Sequence, residues 1–495
     1  MAKAIEIEAA RREVLARVRL TATEEVGLAE ALGRRLALDA VAEAPFPPFD
    51  NSAMDGFAVR AADVAGAGAD SPVTLAIVDE SRAGHPATKA LGVGEAIAIS
   101  TGAMLPAGAD AVVRVEDTER GSAAATGPAG AETAVPVQDT PRGLAAARGP
   151  AAADGGVSTE GTARGPATPR GPAGADAVVR VEDTARPATP SVPVADAGAP
   201  PPSSAGTLGR VLIRVAVAAD ANVRHAGDDI AAGETVLRAG AELGPAELGA
   251  LATIGIDPVP VRRRPRVAVL TSGDELTPPG RPLGPGAIRD SNSRTVAALA
   301  RLAGAEVVSV DWTPDEPEAT RAALGRALGA DVAIVCGGIS VGEHDHVKAA
   351  LAELGAEEVF WRVALKPGGP TWFGTRGEAL AFGLPGNPVS VMVTFLTFVR
   401  PALIAMAGGE PTSRRTTARL GAAYEKPTDR AHAVRCRLEL DERGWVAWPL
   451  PRQGSHVLTS MLAAEALALV PTECAGLAAG DTVDVELLDR ASMGR

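Results

Sequence analysis

Cysteine is scarce in this 495-residue sequence, which has only Cys336, Cys436 and Cys474. They are odd in number, far apart and in no metal-ligand spacing, as expected of a chain kept in a reducing cytosol. Cys336 reads as a buried strand residue. A basic stripe is also missing: 48 Lys and Arg stand against 61 Asp and Glu, for a net charge of −13. The basic residues are scattered or paired with acids, which argues against nucleic acid as a partner. Any anion site must therefore be local. The N-terminal stretch MAKAIEIEAARREVLARVRL has neither the apolar run nor the cleavage site of a signal peptide. The longest apolar stretch, VSVMVTFLTFVRPALIAMAG, contains Arg400 and Pro401 and reads as a buried helix, not a membrane span. A cytoplasmic protein with no nucleic-acid or membrane partner is expected.

Residues 119–209 contain no aromatic residue and are largely Ala, Gly, Pro, Ser and Thr. They hold a tandem repeat. PAGADAVVRVEDT at 106–118 returns letter for letter at 172–184, and four blocks open at Pro106, Pro128, Pro150 and Pro172, spaced by 22 residues. A solenoid needs an apolar face on every unit, and the middle blocks have lost theirs. The composition is that of a linker inserted into a folded host. Lengthening a loop from about ten to about 76 residues costs only roughly 2 kcal/mol in closure entropy. Deleting 119–184 is expected to leave a stable, active protein.

A chain of this length needs several domains. Helical patterns cover 3–18 and 24–39. Prolines in APFPPFDNSAMDGFAV then lead to short alternating runs such as VTLAIV and EAIAIS, the mark of a small β-rich domain. From Arg266 the strands RVAVLTS, EVVSVDW and DVAIVCGG alternate with the helices SRTVAALARLAG, PEATRAALGRAL and HVKAALAEL. That alternation predicts a doubly wound parallel sheet covered on both faces. After 408, TTARLGAAY, AVRCRLEL, WVAWPL and DTVDVELL predict a small barrel-like β domain.

Ligands of such sheets sit outside the carboxyl ends of the strands. Four loops there share a character: TSGDEL (271–276), CGGISVGEHD (336–345), LKPGGP (365–370) and GLPGNPVS (383–390). Glycines let backbone N–H groups approach an anion, and Lys366 adds a full positive charge. Asp274, Glu275 and Asp345 place carboxylates at the same edge, which suits Mg²⁺ bridging them to phosphate oxygens. Singly, each loop is also what a tight turn or a helix cap looks like. Four on one edge predict an anion-binding site.

PFDNSAMDGFAV, STGAMLPAGADAVVRVEDT, VRHAGDDIAAGE, TSGDEL, GGISVGEHD, LKPGGP and GLPGNPVS, in this order, resemble the molybdopterin molybdenumtransferase family, which includes the E domain of gephyrin. The similarity covers nearly the whole chain outside the extra repeats. It implies an α/β multidomain protein. A discontinuous N-terminal scaffold (1–45 and 195–262) and a small β-rich domain (46–118) precede the repeats (119–194), the central α/β domain (263–408) and a C-terminal β-barrel-like domain (409–495). It also implies an elongated homodimer with sites lined by both subunits, and contact with the enzyme that adenylylates molybdopterin. The implied reaction converts molybdate and adenylylated molybdopterin, with Mg²⁺, to molybdenum cofactor and AMP.

Carried over by motif, the catalytic positions fall on Asp55, Thr101, Asp110, Asp228, Asp274 and Asp345, with Asp274 and Asp345 as metal ligands. The molybdopterin and molybdate loops map to Ser340, Arg362, Lys366, Pro385, Asn387, Pro388 and Ser390. Three departures stand out. Asp228 replaces the usual glutamate, Gly369 stands where many members have a second lysine, and the repeat offers both Asp110 and Asp176 for one role. A molybdopterin-adenylylating activity is the alternative within enzymology; its enzyme resembles only the 266–408 unit. A gephyrin-like scaffold is the other, and it would not need the acids at 55, 228, 274 and 345.

Overall fold

A computed structural model of the chain describes residues 4–121, 208–339, 346–412 and 414–488. Its central sheet has six strands. In spatial order they are Glu306–Thr313, Arg266–Ser272, Val332–Cys336, Ala379–Leu384, Trp372–Arg376 and Glu357–Trp361. The first four run parallel, as the alternation predicts, but the last two are antiparallel additions. Trp372–Arg376 and Ala379–Leu384 are joined by a turn too short for a crossover helix, so they pair as a hairpin.

Period-two alternation feeds two cores from one sheet. Val267, Val269, Val332 and Ile334 point to one face, where they meet Val296 and Ala300 of the helix Asn292–Leu302. Ala268, Leu270, Ala333 and Val335 point to the other, against Ala323 and Leu324 of the helix Pro317–Ala327. The apolar stretch forms a continuous, mostly buried helix, Pro388–Met406, whose Val389, Val393, Phe395, Phe398 and Leu403 join the first core. The N-terminal helix, Ile7–Leu15, buries Ile7, Ala10 and Val14 in that same core.

The second helix expected over 24–39 does not form. Thr23–Val26 is instead a strand paired antiparallel with Val259–Arg262, followed by a short turn of 3-10 helix at Leu28–Glu30. Gly27 and Gly33 interrupt the helical pattern, and pairing with a distant strand outweighs the weak local propensity of the rest. Together with the helix Pro245–Thr253, this segment encloses its own core of Leu36, Leu243, Leu251 and Val261.

The β-rich unit is a six-stranded sheet in the order Ala111–Arg114, Gly56–Val59, Glu95–Ile99, Val73–Ser81, Gly209–Ile213 and Thr118–Gly121. Its last two strands bracket blocks two to four of the repeat, and Gly121 stands opposite Arg210 across the ladder. Chain therefore leaves and re-enters the sheet at adjacent points, so the host needs no span across the insert. Gly209–Ile213 thus extends this unit beyond 46–118, and a deletion beginning at 119 would remove ladder residues. The cut that spares the sheet begins after Gly121. Blocks two to four, with Asp176, lie outside the described residues.

The C-terminal unit closes into a barrel of five strands. Ala431–Asp441 pairs with both Gly444–Pro449 and Ala466–Val470, and Arg415–Leu420 and Thr482–Leu487 complete the ring. Leu365–Lys366, from the α/β domain, adds a parallel bridge to Ala431–His432.

Candidate active site

The strand order reverses at Arg266–Ser272, whose two neighbours, Glu306–Thr313 and Val332–Cys336, both follow it in the chain but flank it on opposite sides in the sheet. Outside the carboxyl ends there, a cleft of about 600 Å³ is lined by Ser272, Glu275, Asp290, Asn292, Asp315 and the Gly337-Gly338 pair. The glycines are required. Gly337 and Gly338 have φ of 96° and 63°, and a Cβ on them would stand 2.7 Å from the Ser272 carbonyl oxygen and 2.6 Å from Val347 Cγ2. Ser272 Oγ donates to Asp315 Oδ1 at 2.6 Å, and the Asp315 N–H donates to Asp274 Oδ1 at 3.1 Å. Asp290, held by Thr271 Oγ1 and the Ser293 N–H, is nearly buried at the mouth of the helix Asn292–Leu302. Among the described residues no three metal-ligating side chains converge. Asp274 and Asp315 nevertheless fit Mg²⁺, which takes one or two carboxylates and fills its shell with water and phosphate oxygens.

A second cavity, of about 630 Å³, opens where LKPGGP meets the barrel, and Pro370, Pro385 and Asn387 line both spaces. Lys366 faces His432 in the parallel bridge, and Asn387 Nδ2 donates to Ser455 Oγ at 3.1 Å. Among the described residues no Asp or Glu lines this cavity, whereas Lys366, Arg430, His432, Arg435 and His456 do. Arg435 is 0% exposed. Its Nη2 donates to the carbonyls of Arg452 and Gly454 at 3.2 and 3.3 Å, but Nε and Nη1 have no partner. A buried guanidinium with two orphaned donors is costly unless an anion completes it. Burial, together with the cations of Lys366, Lys426 and Arg430 and against the pull of Asp429, lowers the His432 pKa to about 4.

The structure brings Lys366, Pro385, Asn387 and Ser390 together around the acid-free cavity, and Pro388 lines the carboxylate-edged cleft. Arg362 stacks over the Trp361 ring, 4.8 Å from its centroid, and lines an adjoining space with Gly369, Pro370 and Arg430. A Cβ at Gly369 would stand 4.0 Å from Arg430 Nη1, so a guanidinium already borders the place of the absent lysine. Ser340 and Asp345 lie outside the described residues.

Asp55, Thr101 and Asp110 sit in the β-rich unit and Asp228 just after Val223–Arg224, which pairs with Asn51–Ser52, and none of them lines these two spaces. Asp55 Oδ1 accepts the Thr101 N–H at 2.8 Å, Asp110 Oδ1 that of Ala61 at 2.6 Å, and Asp228 Oδ2 that of His225 at 2.7 Å. Sequence reasoning missed Asp315 and the barrel's contribution. Asp315 follows a parallel strand just as Asp274 does, so the strand-end rule applied to EVVSVDWTPDEP would have found it. Arg435 and Ser455 carry no local signal, because only the barrel's closure turns them toward Lys366.

A discontinuous β-rich unit, a switch-point α/β domain and a closed barrel define the MoeA class of multidomain proteins. The family models described as MoeA N-terminal region (domain I and II), probable molybdopterin binding domain and MoeA C-terminal region (domain IV) match residues 5–162 with 170–255, 268–405 and 417–488. A solved structure described as the molybdopterin biosynthesis moea protein from Pyrococcus horikosii superposes with a TM-score of 0.71 at 28% identity, covering 98% of this chain and 99% of that one. Molybdopterin molybdenumtransferase 2 of Mycobacterium tuberculosis is 31% identical over 469 residues, 93% of this chain and 94% of its own length. The molybdopterin molybdenumtransferase of Haemophilus influenzae is 29% identical over 470 residues, 94% of each chain. The chain belongs to the molybdopterin molybdenumtransferase family.

Proposed function

We propose that this protein inserts molybdenum from molybdate into adenylylated molybdopterin and releases AMP. The observation that carries the reading is Arg435, fully buried with two orphaned donors, in an acid-free cavity that joins the carboxylate-edged cleft. A tetrahedral dianion fits among the donors of Lys366, Asn387, Ser390 and Ser455, with the Arg435 charge behind them. The phosphoanhydride belongs in the adjoining cleft, where the backbone of Gly337 and Gly338 permits close approach. Mg²⁺ held by Asp274, with Asp315 beside it and Asp345 as the further expected ligand, would neutralise charge that builds on the phosphate oxygens.

Within one chain, Asp55, Thr101, Asp110 and Asp228 stay apart from these spaces, which favours a homodimer in which the partner's β-rich unit completes the cleft. Contact with the adenylylating enzyme and a cytoplasmic setting complete the proposal; the three cysteines are free thiols. The test is a single-turnover reaction of purified protein with adenylylated molybdopterin and Mg²⁺, with and without molybdate. Molybdate-dependent AMP release is expected. AMP release at the same rate without molybdate, or none with it, would overturn the reading.

A further inference from the structure

A net charge of −13 makes any anion site on this chain a local one, and arginine gathers at a place outside the active site, where the N-terminal scaffold, the α/β domain and the lead into the barrel meet. A cavity of about 80 Å³ there is lined by Arg34, Arg35, Arg262, Arg264, Arg400 and Arg414, and Glu242 is the one acid among its described lining residues. It shares no residue with the two spaces of the active site. Two glycines let the arginines close in. A Cβ on Gly409 would stand 2.5 Å from Arg35 Nε, and one on Gly408 would stand 3.9 Å from Arg262 Nε.

Charge does not balance at this junction. Arg34 pairs with Glu24, Arg35 with Glu242 at 2.9 Å and Arg400 with Glu486 at 2.6 Å, and Glu486 is itself shared with Arg11 and Arg415. Arg262 has no carboxylate: its Nη1 donates to the Thr21 carbonyl at 3.1 Å and to the Thr23 hydroxyl at 3.4 Å. The partly buried side chain of Arg264 has no partner among the described residues. Even with Arg414 set aside, two guanidiniums are left over. Two helices end at the cavity, Asn292–Leu302 at Ala303 and Pro388–Met406 at Ala407. A helix C-terminus carries about half a negative charge, so together they offset about one of the two. Guanidiniums only donate, so the missing partner is an acceptor with negative charge. The volume holds a few waters or one small oxyanion, and no nucleoside.

We propose that this cavity is a second anion site, which takes one free tetrahedral oxyanion of the phosphate or sulfate class and ties the scaffold to the α/β domain. Arg262 and Arg264 supply the charge that holds it. The site is independent of the molybdate-transfer reading.

Calorimetric titration of the full chain with sodium phosphate and with sodium sulfate, against sodium chloride at matched ionic strength, tests this. A Lys366→Ala background weakens the active site's own hold on oxyanions and serves as the parent. One oxyanion bound per chain is expected. Arg264→Gln breaks no side-chain contact of the fold, so its thermal midpoint without oxyanion should equal that of the parent, while its phosphate affinity falls by roughly tenfold. Arg264→Lys, which keeps the charge, should lose less. Phosphate or sulfate should raise the parent's thermal midpoint beyond the effect of chloride, as a ligand of the native state does, and that rise should shrink in Arg264→Gln. Binding or stabilisation no greater than with chloride, or equal phosphate affinity in the parent and in Arg264→Gln, would overturn the inference, whatever the outcome for AMP release.

Discussion

The backbone N–H of Ala61 donates to the carboxylate of Asp110 at 2.6 Å, tying the strand that begins the first repeat block to the start of the short helix Ala61–Val64. Asp110 thus has a structural contact independent of its charge. Asp110→Asn keeps the acceptor and should leave stability nearly unchanged, whereas Asp110→Ala should cost about 1 kcal/mol. Denaturant midpoints of the two variants separate the roles. A catalytic role for the charge would appear as slowed AMP release in Asp110→Asn at unchanged stability.

Because Gly121 faces Arg210 in an antiparallel ladder, the insert can be replaced by a short hairpin turn. A variant with 122–207 replaced by Asn-Gly and flanking residues should fold and keep its AMP release. A cut that begins at 119 should be less stable, since it removes ladder residues and the ion pair between Glu119 and Arg214. Comparing the thermal midpoints of the two deletions checks this.

Asp274 accepts the Asp315 N–H, a contact that an amide oxygen reproduces. Asp274→Asn should therefore fold normally and yet lower Mg²⁺-dependent AMP release by roughly tenfold or more, because the neutral amide no longer attracts a divalent cation. A Mg²⁺ titration of the rate should show a higher half-saturating concentration. A wild-type titration curve in this variant would remove Asp274 from the metal site.

Arg435 bears the cost of a buried cation with two unpaired nitrogens. Arg435→Met, of similar length, should match or exceed wild-type stability, by about 1–3 kcal/mol, while losing molybdate binding. Lys366→Ala and Ser390→Ala should weaken molybdate more than the nucleotide. Equal losses of both ligands would mean a general defect of the loops.

Burial and neighbouring cations hold the His432 pKa at about 4, below its ordinary value near 6.5. As pH falls from about 6.5 toward 4, the unfolded chain takes up a proton that the folded chain refuses, so stability falls across that window. His432→Gln cannot titrate, and its melting temperature should decline less steeply between pH 7 and pH 4.5. Parallel declines would show that His432 is not held neutral by the fold.

Much of this architecture was legible because periodicity is local: Val267 and Val269 alternate with Ala268 and Leu270, and the chain after Arg266 shows its strands and helices in order. The segment 24–39 was misread because its partner strand, Val259–Arg262, lies more than 200 residues away in sequence. The acid edge of the site was read from loops that follow strands, and the same rule would have reached Asp315. His432, Arg435 and Ser455 were out of reach. Their meeting with Lys366 depends on a barrel whose strand pairing no local pattern reveals.

The most direct test of the central claim is the stoichiometry of one turnover. Purified protein is mixed with adenylylated molybdopterin, molybdate and Mg²⁺; AMP is measured by chromatography and pterin-bound molybdenum by mass spectrometry. The proposed reaction predicts one molybdenum bound per AMP released, with both lost together in Arg435→Ala. AMP release without molybdenum bound to the pterin would contradict it.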